Sequence, residues 1–196
     1  MWNTLGMTGG WTTKNSKYEK VKFSFQDMEK ELTFYDIRNF GTIKFSSSKS
    51  ELKRKLASIG YDMLSSPPGL LIFKNLIHKN GNENITKFLM NQKYISGIGN
   101  YIKSEALYAA KISPYRLCSS LSHDDCERLY NAIIFIINAS YNSGGATIKN
   151  YLNFNGEIGA FTFKVYGLRT DPYGNSVVTC TTKDGRTTHW VPEMQK

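Results

Sequence analysis

Apolar and polar residues alternate at period two through the first part of the chain, most clearly in Val21-Lys22-Phe23-Ser24-Phe25 and Leu32-Thr33-Phe34-Tyr35. Successive side chains of a strand leave on opposite faces, so this pattern over residues 4–45 predicts antiparallel strands, with turns at Gly9-Gly10 and Asp27. A sheet of about four strands, taken alone, would expose its edges and an apolar face, which native sheets usually cover. The strand-like pattern begins almost at Met1-Trp2-Asn3.

The period then changes. Residues 47–61 read as a short helix, and Ser65-Ser66-Pro67-Pro68-Gly69 interrupts the pattern, because proline removes a backbone donor and glycine permits a turn. Phe88, Leu89, Tyr94 and Ile95 fit the apolar side of one short helix. Tyr101, Ile102, Ala106, Leu107 and Ala110 fit another, which opens after Gly99-Asn100 and closes before Ser113-Pro114. Ser122-His123-Asp124-Asp125 has the form of a capping box; the helix it opens aligns Leu129, Ile133, Ile136, Ile137 and Tyr141 until Gly144-Gly145 ends it. Further on, Phe161, Phe163 and Val165 alternate as in a strand, and residues 176–182 and 187–191 are the arms of a hairpin around Lys183-Asp184-Gly185. The fold class is α+β, in three parts: β-rich over 1–64, helical over 65–150, and a β-hairpin region over 151–196.

Charge changes the picture of what these parts do. The 25 Lys and Arg against 16 Asp and Glu leave a net charge of +9, which favours a polyanionic partner, nucleic acid before an acidic membrane. Cys118, Cys126 and Cys180 are odd in number and lack C-x-x-C spacing, so neither a disulfide framework nor a zinc site is expected. The longest apolar run, residues 132–139, is far short of a membrane span, and polar Asn3, Thr4, Thr8 and Lys14 interrupt any signal-peptide pattern. A soluble, intracellular protein without a cofactor is the expectation.

Gly97-Ile98-Gly99-Asn100 lies between two helices, where its glycines allow a tight turn with backbone N–H groups open at a helix N-terminus. Between residues 85 and 116 the charges are Lys87, Lys93, Lys103, Lys111 and Arg116 against Glu105 alone. The segment reads either as a phosphate-binding turn with counterion-releasing cations around it or as an ordinary helical corner with a solvated basic face. Taken from the residues alone, Met7 and Phe40 are core residues of a sheet, and Arg38 and Arg186 are surface cations.

Asn91-Gln92-Lys93-Tyr94-Ile95-Ser96-Gly97-Ile98-Gly99-Asn100-Tyr101, continued by Ser104-Glu105-Ala106-Leu107-Tyr108 and Ile112-Ser113-Pro114, resembles the helix-two-turn-helix of the Fpg/Nei family of DNA glycosylases. Thr4-Leu5-Gly6-Met7-Thr8-Gly9 is similar to that family's H-L-G-M-S-G strand, and Asp36-Ile37-Arg38-Asn39-Phe40-Gly41 to its D-P-R-R-F-G. Val165-Tyr166-Gly167 and Gly185-Arg186-Thr187-Thr188-His189-Trp190-Val191-Pro192-Glu193-Met194-Gln195 resemble the start and close of its C-terminal finger. The motifs occur in the family's order along essentially the whole chain.

The resemblance implies the remnant of an antiparallel β-sandwich domain over 1–64, a helix-two-turn-helix domain over 65–150, and a β-hairpin finger over 151–196. It also implies base-excision repair by a DNA glycosylase and AP lyase, acting as a monomer on double-stranded DNA with an oxidised base or abasic site. Such chemistry flips a base out and fills the gap with a wedge, here Met7, Arg38 and Phe40. Asn100 and Arg186 would bind phosphates, Arg186 by its bidentate fork, and Glu105 would brace the structure.

Two departures accompany the resemblance. Most family fingers hold zinc with two C-x-x-C pairs; the matching stretches here are Pro172-Tyr173-Gly174-Asn175-Ser176 and Val191-Pro192-Glu193-Met194, so the finger belongs to the zincless branch. Family members attack with an N-terminal proline followed by glutamate, whereas Met1-Trp2 precede the first matching strand, so no catalytic residue is assigned. Lys14, Lys17 and Lys20 are poor substitutes, since an exposed lysine with a pKa near about 10 is almost wholly protonated. The chain therefore reads as a glycosylase represented without its nucleophilic segment or as a catalytically silent protein that binds damaged DNA.

Overall fold

The computed structural model of the chain describes residues 1–6, 8–147 and 158–196. The period-two region becomes five strands in two sheets. β1 (Trp2–Thr4) pairs antiparallel with β5 (Thr42–Lys44), while β2 (Gly9–Thr12), β3 (Glu19–Phe25) and β4 (Met28–Asp36) form an antiparallel sheet in the order β2-β4-β3. The rings of Trp11 and Phe23 lie 5.6 Å apart and those of Trp11 and Phe34 5.3 Å, which gathers these three aromatic residues on one face. Little of that face is covered: Phe34 is buried, whereas Phe25, Met28 and Phe45 are exposed. Helix α1 (Lys49–Ala57) follows, capped by Ser48, and buries none of its residues.

The helical part has a true core. β6 (Tyr61–Asp62) pairs in parallel with β7 (Ile95–Ser96), and α2 (Leu70–Lys79), α3 (Ile85–Met90), α4 (Asn100–Ala109) and α5 (His123–Asn142) enclose Phe73, Phe88, Leu107, Leu129 and Ile133. Met63 belongs to this core, so the helical unit takes in residues just before the Pro67-Pro68 break. The capping box forms as the spacing predicts: Ser122 accepts from the Asp125 backbone, and Asp125 from that of Ser122. Phe88 and Leu89 are helical, but Tyr94 and Ile95 are not, because α3 ends at Met90 and the chain turns at Asn91 into β7. Their apolar spacing reported burial against Phe88, whose ring stacks on Tyr94 at 5.5 Å, and not a continuing helix.

Phe161, Phe163 and Val165 also depart from expectation, since they form no strand. Phe161 and Phe163 pack instead on the ring of Tyr101, at 6.2 and 5.5 Å, and the backbone that follows is bound by a side chain of α4. β8 (Val178–Thr181) and β9 (Thr187–Trp190) make the expected antiparallel hairpin, with Val178 opposite Trp190 and Thr181 opposite Thr187. β9 lies along α4, and Tyr108, Val165 and Val191 form a second small core between them. Among the described residues no helix is long and apolar enough to cross a membrane.

Candidate nucleic-acid interface

The turn before α4 is shaped by glycine and by one amide side chain. Gly97 has φ +89°, a left-handed conformation that side-chain-bearing residues rarely adopt. Gln92 bridges the turn: its Oε1 accepts from the Gly97 N–H at 3.1 Å and its Nε2 donates to the Ile98 carbonyl at 3.0 Å. Gly99 is the N-cap of α4 and supplies no side-chain cap, and nothing lies within 4 Å of where its Cβ would stand. The first N–H groups of α4 thus sit at an uncapped, sterically open helix end, the arrangement that receives anions.

Three consecutive polar residues of α4 then face inward, each toward the C-terminal region. Lys103 is fully buried, and its Nζ donates to Asp184 Oδ2 at 2.7 Å. Ser104 Oγ accepts from the His189 backbone at 3.4 Å. Glu105 accepts from three successive backbone N–H groups, those of Lys164, Val165 and Tyr166, at 2.9, 2.9 and 2.8 Å. A carboxylate with three amide donors is well satisfied in burial, which gives Glu105 a structural task. Asn100 extends the same seam, since its Nδ2 donates to the Thr187 carbonyl at 2.9 Å. Asn100 and Arg186, expected as separate phosphate contacts, are thereby brought to neighbouring backbone, with Arg186 exposed at the hairpin tip.

The cation tally around the turn needs correction. Lys103 is no surface charge, Arg116 pairs with Asp125 at 3.0 Å, and Lys87 stands 3.6 Å from Glu83. Burial lowers the pKa of Lys103, and its hydrogen bond to Asp184 opposes that fall. Burial would raise Asp184, but the hydrogen bonds from Lys103 and Thr182 hold its carboxyl below the usual range.

The loops matching the family's cysteine pairs use their polar atoms on one another. Asp171 Oδ1 accepts from the backbone of Tyr173 and Asn175, at 2.9 and 2.8 Å, while its Oδ2 accepts from the Tyr108 hydroxyl at 3.0 Å and from Asn175 Nδ2 at 2.9 Å. Across the finger, Gln195 accepts from Val191 N–H at 2.7 Å and donates to the Ile112 carbonyl at 2.9 Å. Such oxygen and amide groups, already hydrogen-bonded, do not fit a tetrahedral zinc site.

The expected wedge is less completely placed. Met7 lies outside the described residues. Asp36 organises the loop that carries the other two: it accepts from the Thr8 hydroxyl at 2.6 Å, the Arg38 backbone at 3.1 Å and the Gly41 backbone at 2.7 Å. These hydrogen bonds, Thr8's foremost, hold its carboxyl down at about 2. Phe40 is 56% exposed, which removes it from the sheet core, and the Arg38 guanidinium lies 4.9 Å from its ring centre. Thr8, Asp36, Gln92 and Asp184 were given no role from sequence, and Lys103 was counted only as one cation of the basic turn. Gln92 and Asp36 lay within the quoted motifs, and Lys103 has Ile102, Ala106 and Leu107 around it on the helix, a context that marks a buried side chain.

Comparison with known proteins places this geometry. Residues 59–151 match the formamidopyrimidine-DNA glycosylase H2TH domain, and residues 157–196 match the formamidopyrimidine-DNA glycosylase C-terminal domain. The formamidopyrimidine-DNA glycosylase of Cytobacillus firmus is 36% identical over 181 residues, covering 89% of this chain and 65% of the relative. That of Shouchella clausii is 33% identical over 189 residues, covering 94% and 68%. The chain thus spans about two thirds of the length of these relatives. The Lactococcus lactis Fpg, solved in complex with DNA containing an abasic site, superposes with a TM-score of 0.84 at 25% identity, covering 99% of this chain and 74% of that one.

Proposed function

Because the chain belongs to the formamidopyrimidine-DNA glycosylase family, we propose that it binds damaged double-stranded DNA and serves base-excision repair of oxidised bases as a DNA glycosylase. The observation that carries this reading is the seam between α4 and the hairpin. There the open Gly97–Gly99 turn and the exposed Arg186 are tied together by Asn100, which donates to the residue after Arg186. An amide nitrogen has two hydrogens, so Asn100 keeps a second N–H for a phosphate while holding the hairpin with the first. Arg186 supplies a planar fork, and the α4 amides a positive helix end. Exposed and mutually stacked, Arg38 and Phe40 are suited to enter a duplex where a base has left, Phe40 replacing lost stacking and Arg38 pairing with the orphaned partner base. Met7 is proposed as the third part of that wedge on the motif alone. The nucleophile is assigned to none of these residues.

The test is to incubate the 196-residue chain with duplexes that carry or lack one abasic site, with and without borohydride. Preferential binding to the abasic duplex is expected. A covalent adduct after reduction would place a lyase-competent amine among these residues; tight binding without an adduct would leave the chain as a damage-binding module. Equal affinity for damaged and undamaged duplex would contradict the proposal.

A further inference from the structure

The hairpin tip rests on an ion pair that DNA would never touch. Lys103, from the second turn of α4, is fully buried and reaches Asp184, whose side chain is 3% exposed. The other carboxylate oxygen of Asp184 accepts from the Thr182 hydroxyl, which also contacts the Thr188 hydroxyl at 2.7 Å and the Arg186 carbonyl at 3.1 Å. The Thr182 backbone N–H donates to the same Arg186 carbonyl at 3.1 Å, and Gly185, at φ +75°, makes the turn between Asp184 and Arg186. The Gly185 N–H closes the turn onto the Thr182 carbonyl at 2.8 Å, the Thr182 hydroxyl and N–H reach Asp184 and the Arg186 carbonyl, and Asp184 is fastened to the helix below by Lys103.

Burying two charges has a desolvation cost that their attraction only partly offsets, so such a pair is a weak source of stability. What it does supply is direction, because a charge without its partner is strongly disfavoured there and few alternative positions of the tip keep the two together. We propose that Lys103 and Asp184 are positioning residues for DNA binding, fixing the hairpin turn on α4 so that Arg186 and the Gly97–Gly99 turn address neighbouring phosphates as one rigid unit. This rests on the DNA-binding reading above. The partner chemistry is the phosphodiester backbone, and the pair acts on it only through Arg186.

The test measures the affinity of an abasic duplex against salt for the unaltered protein, Arg186→Ala, the double variant Lys103→Met with Asp184→Leu, and the triple combination. Replacing both charges by apolar side chains avoids leaving one charge alone, so the double variant keeps its unfolding midpoint. The expected result is that it nonetheless binds about tenfold more weakly at moderate salt, with a log–log salt slope shallower by about 0.9, one phosphate contact. Adding Arg186→Ala then costs little more, because the contact is already lost. Wild-type affinity and slope in the folded double variant would overturn the inference, as would full additivity with Arg186→Ala. Should the double variant lose its fold, Lys103→Met with Asp184→Asn, which removes both charges but keeps an acceptor for the Thr182 hydroxyl, is read by the same slope. If the unaltered protein fails to bind the duplex, the DNA-binding reading itself falls, an outcome distinct from normal binding that ignores the pair.

Discussion

The seam between α4 and the hairpin and the N-terminal sheet solve the same problem in opposite ways. Both must hold exposed side chains in fixed directions, Arg186 in one and Arg38 with Phe40 in the other. At the seam, polar side chains of a single helix, Lys103 and Glu105 buried and Asn100 part-buried, grip backbone and side chains some 60 to 87 positions away in sequence: Asn100 holds Thr187, Lys103 holds Asp184, and Glu105 holds the Lys164–Tyr166 amides. In the sheet the ion pairs are partly exposed, as Lys22 with Glu19 at 3.1 Å, and among the described residues a single buried carboxylate, Asp36, ties the loop that carries Arg38 and Phe40. The difference teaches where order comes from in a small basic protein: from satisfied polar groups in burial and not from the number of charges on the surface.

The largest effect should follow from emptying the seam. Glu105→Ala leaves three amides without their acceptor, and about 3–5 kcal/mol of stability is expected to go with them. A urea titration followed by circular dichroism would show it, and a loss within 1 kcal/mol would mean that the apolar contacts of Tyr108, Val165 and Val191 hold the finger unaided.

Next comes the loop that carries Arg38 and Phe40, where the effect is local and pH-dependent. The folded carboxyl of Asp36 titrates at about 2 against an ordinary 3.8. Its stabilisation is therefore complete above pH 3.8 and disappears as pH falls toward 2. Protection of the Arg38 and Gly41 amides, both donors to Asp36, should fall over that window relative to their intrinsic exchange rates. Asp36→Asn should remove the step, and an unchanged pH profile in that variant would assign the loop's order to another group.

A smaller pH effect is expected at the seam. His189 is pushed below its ordinary 6.5 by burial and then by the charge of Lys103, while its ring packs 4.9 Å from that of Tyr166. Neutral His189 is therefore favoured in the fold; its contribution is present above pH 6.5 and falls away below. His189→Gln should flatten the pH dependence of hairpin protection between about pH 7 and 5, and a profile identical to that of the unaltered protein would dismiss the histidine. Smallest of all, Lys22→Met should leave the unfolding midpoint unmoved, because exposed pairs contribute little. A clear drop there would erase the contrast between sheet and seam.

Sequence reading succeeded where local chemistry decides the backbone. Gly97 and Gly99 announced the turn, Ser122 and Asp125 the capping box, and the residues around Lys183-Asp184-Gly185 the hairpin. It failed where tertiary packing decides. Helix α2 went unassigned because Leu70-Leu71-Ile72-Phe73 is apolar all round, although Leu71 is 71% exposed and Phe73 fully buried. The alternation of Phe161, Phe163 and Val165 registered burial around α4, with Glu105 taking the place of a strand partner. Lys103 was counted among the surface cations of a basic turn, since nothing local shows that its partner lies 81 positions onward. A cluster of positive charge in sequence therefore does not show which of its cations remain free at the surface.

The central claim, that the turn before α4 and the hairpin tip together clamp a DNA backbone, is tested most directly by the salt dependence of binding to an abasic duplex between about 50 and 200 mM, with and without Arg186→Ala. The account predicts weaker binding by the variant and a slope shallower by about 0.9, the signature of one lost phosphate contact. Identical affinity and identical slope in the two proteins would contradict it.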